Sequence, residues 1–371
     1  MTAYLIFFFA TITCAGIAIY PKLRLPAVLA IFLLLALFSG IRFETGWDYE
    51  AYQYFYDSLS NSYLYEIFNE NGPVQLMGFE PGFAILIWLC NSLDANYQIV
   101  LALVTVGLCL YSVFRLDPDA LPFFIVIYLW YGYYHNFSIV RQGIAGAIVF
   151  LALVIGDKKK TLSFFSYLIA ISLHYSALVL SPIIWLIIRF STKRILIGSI
   201  ILCWVLSSSE VFRGVLLPTA SLIVPERWLN LITVEQMTGK VGVSFILVEY
   251  SLAALALVFI TKQGPAISFA RGILIYKILT YGLFNDVSII WERTSSFADS
   301  MYAASLSIIL VWLIKEGASN PKLIRVLFMI TLLGLGLYVF AKYERMLNSE
   351  VRIEGEKSHY DRFIPYKSIL D

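Results

Sequence analysis

Of the three histidines in the chain, His135, His174 and His359, one lies within an apolar stretch. His174 opens the triplet His174-Tyr175-Ser176 between the runs Leu162–Leu173 and Ala177–Ile188. An imidazole titrates near neutrality, so it can take a proton from a hydroxyl as general base or hold a phosphate. Ionisable groups at membrane depth are rare and usually functional. Arg141-Gln142 opens another apolar run, and Arg293 follows Trp291-Glu292. An Arg at a helix start opposes the helix dipole, a cost that points to a task. A guanidinium fork suits a diphosphate. Glu80 precedes Pro81-Gly82 and an apolar run, where it could bind a ligand or act as a base at a cavity mouth.

The segment from Arg42 to Asp57 is the densest in polar chemistry. It holds Arg42, Glu44, Asp48, Glu50 and Asp57, interleaved with Trp47, Tyr49, Tyr52, Tyr54 and Tyr56. Aromatic faces stack on sugar C–H surfaces, carboxylates accept from sugar hydroxyls, and Arg binds phosphate. Plainer readings stand beside each of these. They are an interfacial aromatic belt, a dipole-favoured acid at Glu80, headgroup snorkelling at Arg141 and an interhelical hydrogen bond at His174. Three Arg residues, one embedded His and carboxylate–aromatic loops together fit a saccharide carried on a lipid diphosphate.

These residues hang on a strongly apolar frame. The 371 residues are 60% hydrophobic and 14% charged, with mean hydropathy +0.79. Soluble domains carry roughly 25% charged residues, so the composition predicts an all-α polytopic membrane protein folded as one domain over 1–371. Apolar segments fall near Tyr4–Tyr20, Pro26–Ile41, Phe79–Cys90, Tyr97–Phe114, Leu121–Tyr134, Ile139–Ile155, Leu162–Leu173, Ala177–Ile188, Ile195–Leu206, Val243–Ile260, Gly272–Phe284, Ala298–Ile314 and Leu323–Phe340.

Basic residues in short loops mark the inner side. They are Lys22 with Arg24, Lys158–Lys160, Arg189 with Lys193 and Arg194, Lys262 with Arg271, and Lys315 with Lys322 and Arg325. The loops near 42–78, 207–242 and 285–297 and the tail 342–371 then lie outside. This assignment holds only if one segment before Lys158 fails to cross. Phe79–Cys90, short and preceded by Glu80-Pro81-Gly82, is expected to be re-entrant or broken, in a place where a cavity tolerates irregular backbone. About twelve spans remain, with both termini outside. Splitting Leu162–Ile188 at His174 keeps the later basic loops inside. Glu249 and Lys277 are expected to form a buried, structural pair. The tail residues Tyr360–Lys367 could fold back over the site.

Other classes find little support. The N-terminus lacks a basic stretch of the signal-peptide kind. Cys14, Cys90, Cys109 and Cys203 lie in apolar runs without metal-like spacing, and no Walker loop, Rossmann pattern or nucleophile elbow occurs. No cofactor or metal is expected. The near-neutral balance, 27 basic against 25 acidic residues, points to no nucleic-acid partner.

The ordered motifs Arg42…Gly46-Trp47-Asp48-Tyr49-Glu50-Ala51-Tyr52, Phe79-Glu80-Pro81-Gly82-Phe83, Val140-Arg141-Gln142, His174-Tyr175-Ser176 and Glu292-Arg293 resemble those of EpsG-like, Wzy-type polysaccharide polymerases. The ending Ile364-Pro365-Tyr366-Lys367 is similar to that of many O-antigen polymerases. The aromatic that usually follows the last Arg is displaced here, in Trp291–Tyr302. The resemblance implies a multi-pass enzyme of the bacterial inner membrane with a periplasmic active site. It would transfer a growing glycan from undecaprenyl diphosphate to the non-reducing end of a new lipid-linked repeat unit. A flippase and a chain-length regulator would be partners alongside membrane lipids. His174, Glu80 and Asp48 are the catalytic candidates. Arg42, Trp47, Tyr52, Arg141, Gln142, Arg293 and Tyr366 are the binding candidates. The alternatives are a lipid-linked oligosaccharide flippase, whose charges would spread along several spans, and a glycosyltransferase using a lipid-phosphate sugar.

Overall fold

A computed structural model describes residues 2–43, 48–59, 62–70, 72–133, 139–156, 158–209, 214, 244–347, 352–353, 357–358 and 367–368. Its contacts separate into two units, residues 1–181 with 320–371, and residues 182–319. Both are helical. Among the described residues strand is confined to two short ladders, Arg42–Phe43 with Lys367–Ser368 and Arg352–Ile353 with Lys357–Ser358.

The first unit contains α1 (Thr2–Ala18), α2 (Arg24–Gly40), α3 (Tyr49–Ser58), α4 (Pro73–Met77), α5 (Pro81–Ser92), α6 (Tyr97–Leu116), α7 (Leu121–Tyr128, continued by a π turn over Leu129–Tyr133), α8 (Val140–Ile155) and α9 (Lys160–Leu173). The first turn of α10 (Ser176–Phe190) also belongs to it. The second unit takes the rest of α10, then α11 (Lys193–Ser207), α12 (Phe245–Phe259), α13 (Pro265–Phe284), α14 (Ser288–Ser296) and α15 (Asp299–Gly317). The long α16 (Pro321–Leu347) returns to the first unit.

Among the described residues, four helices are long and apolar enough to cross a membrane by themselves: α6, α13, α15 and α16. Six other apolar helices are shorter, α1, α2, α8, α9, α10 and α12. At 1.5 Å per residue, their 14–17 residues reach about 21–26 Å, less than the roughly 30 Å hydrocarbon core. Length alone therefore supports fewer spans than the twelve expected from the apolar pattern. Uncovered faces are apolar, as a lipid contact requires. On α2, Leu25, Leu29, Leu33 and Leu37 repeat every fourth residue along one exposed stripe.

Apolar burial gives little drive between helices in lipid, so close packing must supply it. All eight residues of α7 are buried. Gly40 of α2 lies where any Cβ would meet the backbone of Ile99 on α6, at 2.7 Å from its Cα. Gly82 likewise brings α5 against Ser172 of α9.

Hydrogen bonds fix which helix ends of the first unit lie together. Arg24, at the start of α2, pairs with Asp119 between α6 and α7 at 2.5 Å. At the other end of the same helices, Arg42 donates to Gln98 in the first turn of α6, and Tyr133 donates to Leu35 of α2. The start of α5 meets the start of α8 and the end of α9, through the contacts described below. Its far end is tied by Asn91 to the backbone of Tyr56, whose hydroxyl donates to Ala95 just ahead of α6. Thus α5 begins and ends at the same end of the bundle. It also bends by 104° from the preceding Glu66–Met77 stretch. Twelve residues, about 18 Å of helix, are too short to span alone, and with this bend they suit a broken span or a re-entrant segment.

Candidate functional site

Glu80 is the residue on which the first unit's polar chemistry converges. It stands immediately before α5 in extended backbone, with Pro81 in the first helical position. The residue is 3% exposed. Arg141, second in α8, donates from Nη1 to Glu80 Oε2 at 2.5 Å. His174 Nδ1 lies 2.7 Å from Glu80 Oε1, and the Tyr175 amide donates to the same oxygen at 3.4 Å. One carboxylate thus joins residues 61 and 94 positions away.

Local structure places each partner. After α9 the backbone turns extended at His174, φ −160° and ψ 118°, so the helix stops there. Arg141 sits where the first turn of α8 has its unpaired N–H groups, so its charge finds no help from that dipole. Its compensation comes from Glu80 and from aromatic faces. The guanidinium carbon lies 4.6 Å from the Phe79 ring centre and 5.9 Å from those of Tyr52 and Phe83. Nε of Arg141 is buried and has no protein partner among the described residues. Tyr52 Oη donates to Asp48 Oδ2 at 3.3 Å, which brings the acidic end of α3 to the cluster.

Burial pushes the Glu80 carboxyl up, but the hydrogen bond from His174 and the Arg141 charge outweigh it and hold it down at about 2. Glu80 is therefore a carboxylate at neutral pH. A carboxylate beside Nδ1 keeps the proton on that nitrogen and leaves Nε2 able to accept one. The side chains of Arg141 and His174 remain 24% and 22% exposed, against 5% for Glu80. The carboxylate is buried support, and its two cationic or basic partners reach the surface of the cluster.

Of the expected site residues, the structure gathers His174, Glu80, Arg141, Tyr52 and Asp48. Gln142 is buried on α8 directly after Arg141. Arg42 is also buried, but it is engaged with Gln98 and lines a separate cavity. Arg293 belongs to the second unit, exposed in the last turn of α14. Trp47 and Tyr366 lie outside the described residues. The neighbours of Tyr366, Lys367 and Ser368, do fold back, pairing antiparallel with Phe43 and Arg42.

The second unit has its own charged cluster, and it corrects one expectation. Lys277 does not pair with Glu249. Its Nζ donates to Asp299 Oδ1 and to Ser295 Oγ, each at 2.5 Å. Glu249 accepts instead from Tyr302 Oη at 2.8 Å, and the Tyr302 ring lies 5.2 Å from Lys277 Nζ. Asp299 was legible in principle, since it opens an apolar run as Glu80 does. Among the described residues no group of three or more His, Cys, Asp or Glu is placed to hold a metal.

Helices with lipid-facing apolar stripes and a buried Arg–Glu–His cluster define a membrane protein with a polar site at one end of a helical unit. A family model, the EpsG family, matches residues 27–368, and the chain belongs to that family of Wzy-type polymerase-like membrane proteins. No curated protein and no solved structure matches the chain.

Proposed function

We propose that the protein is a polysaccharide polymerase. It moves a growing glycan from undecaprenyl diphosphate to a hydroxyl at the non-reducing end of a new lipid-linked repeat unit. The observation that carries this reading is the joining of Arg141, Glu80 and His174 from three separate helices. In the reaction, the bond between the donor's anomeric carbon and the diphosphate oxygen breaks. A glycosidic bond forms to the acceptor oxygen, and the acceptor proton passes to His174 Nε2. Glu80 holds the imidazole in the tautomer that leaves Nε2 free, so it serves as positioning carboxylate rather than sugar ligand. Arg141, stacked on Phe79, stabilises charge on the departing diphosphate. Asp48, through Tyr52, completes the sugar-facing side.

The topology of the proposal counts α1, α2, α6–α13, α15 and α16 as twelve spans, with α5 re-entrant and both termini outside. The site then faces the periplasm of the inner membrane, where a flippase supplies substrate and a chain-length regulator acts on the product. A deletion strain tests the reading. Loss of the lipopolysaccharide ladder with a one-unit product retained is expected. Loss of the one-unit product as well would make the protein a flippase, and a product lacking one sugar would make it a single-sugar transferase.

A further inference from the structure

The second unit buries a cation that has no countercharge among the described residues. Arg271 lies in the second turn of α13 and is 4% exposed. Its hydrogen bond runs from Nη2 to Gln263 Oε1 at 2.9 Å. Its Nε is buried without a partner. A buried guanidinium that faces a neutral amide is costly, since an opposite charge ordinarily compensates the lost water.

The place of Arg271 adds to that cost. Side chains of a helix lean towards its start, and the bond to Gln263 carries this guanidinium to the residue just ahead of the cap of α13. The N–H groups of a first turn have no acceptor within the helix. Here Gly264 brings no side-chain cap, and Pro265 stands in the first turn. The helix dipole makes the same end positive. A guanidinium and an uncapped helix start thus meet where only an anion would compensate both.

Neighbouring segments bring more cations. Ser191 Oγ donates to the Ser268 carbonyl at 3.2 Å. Lys193 Nζ donates to the carbonyls of Val258 and Ile260 at 2.6 and 2.8 Å. These bonds join the α10–α11 loop, flanked by the exposed Arg189 and Arg194, to the α12–α13 loop that holds Lys262. Glu316 is also at this end, but its Oε1 accepts from the Thr261 amide and hydroxyl and from the Lys262 amide. Close packing fixes α13 here, since a Cβ on Gly272 would lie 2.6 Å from the Ile188 Cα.

The donors define the ligand. Nε and Nη2 form one edge of the guanidinium, and the amide oxygen of Gln263 serves only Nη2. An oxyanion with two oxygens serves both. Gln263 is exposed, so its side chain is free to swing out and yield that edge. A phosphate group has further oxygens for the amides at the helix start, which favours it over a carboxylate.

We propose that Arg271 and the start of α13 bind a phosphate group, with Gln263 as the neutral acceptor that gives way to it. The group belongs either to the headgroup of an anionic phospholipid or to free phosphate. The site takes no residue from the Glu80 cluster and does not depend on the polymerase reading.

The test uses the purified full-length protein in detergent. Inorganic phosphate is compared with chloride at equal ionic strength by thermal unfolding. Phosphatidylglycerol is compared with diacylglycerol by native mass spectrometry, which counts retained lipid. Wild type is expected to be stabilised by phosphate, to retain phosphatidylglycerol, or both. Retained lipid that excess phosphate does not displace identifies a headgroup. Stabilisation by phosphate with no lipid retained identifies free phosphate, and displacement means that one site takes both. Gln263→Glu sets a carboxylate against the guanidinium from an exposed position. It should raise the unfolding temperature of the ligand-free protein and weaken either ligand about tenfold or more. Arg271→Gln should abolish binding, and Gln263→Glu covers the case in which that variant fails to fold. If wild type binds neither ligand, or if binding is undiminished in Gln263→Glu, the site is overturned.

Discussion

Each unit of the molecule buries a cation against a carboxylate, and the two clusters are built differently. In the second unit, Lys277 and Asp299 have side chains only 3% and 7% exposed, with Ser295 and the Tyr302 ring closing around the ammonium. In the first, Glu80 is equally buried, while Arg141 and His174 are about a quarter open. A dry, saturated pair holds helices together and offers no donor to a ligand. A buried carboxylate with two partly open partners fixes their orientation and leaves their outer atoms accessible. Exposure of the partners, more than the presence of charge, separates an ion pair that only braces from one that keeps atoms open to a ligand.

The comparison breaks first at His174 and Arg141. Alanine at either should cut polymer formation by about 10²–10⁴-fold, the usual range for a lost general base or charge-stabilising group, with normal amounts in the membrane. Ladders are read from extracted lipopolysaccharide, and wild-type ladders from both variants would erase the distinction. The second unit should respond in the opposite way. Lys277→Met takes the cation away from the buried Asp299 carboxylate and is expected to cost about 3–5 kcal/mol, seen as low membrane levels and a lowered unfolding temperature. The double variant Lys277→Met/Asp299→Leu should recover most of that loss. If Lys277→Met instead folds normally and loses only activity, the second cluster is a reactive site too.

Gly82→Ala sharpens the account of how the Glu80 cluster is held. Its new Cβ would meet Ser172 and push α5 from α9, and Glu80 and His174 each lie two residues from that contact. A cost of about 1–3 kcal/mol is expected in thermal unfolding, with a fall in activity larger than the remaining fold would explain. The smallest effect is expected from Tyr52→Phe. It keeps the ring beneath Arg141 and loses the hydroxyl's bond to Asp48 and its interaction with the guanidinium, about 1 kcal/mol or a fivefold change in polymer yield. A loss as deep as that of His174→Ala would make the hydroxyl a reacting group.

The helical, membrane-embedded class was legible without coordinates, because a lipid environment demands long apolar runs and leaves few places for charge. His174, Arg141 and Glu80 stood out one by one for the same reason: each breaks the apolar pattern at a cost. Their pairing was not legible, since nothing local links positions 61 and 94 residues apart. The Lys277 partner was misread for a related reason. Glu249 and Asp299 are both carboxylates within reach of an apolar helix pair, and only packing shows that Tyr302 takes the first. Gln98 drew no notice because a polar residue in the first turn of a helix is ordinary. What gives Gln98 a long-range partner is Arg42, which arrives from the chain just past α2.

Residue type and apolar spacing therefore determined the solvent this chain folds in, its helical class, and which side chains are too costly to be idle. Tertiary structure decided which of those side chains meet. Ion pairs and cavities depend on distances of a few ångströms between distant segments, and those distances are set by close helix contacts such as Gly40 on Ile99 and Gly82 on Ser172.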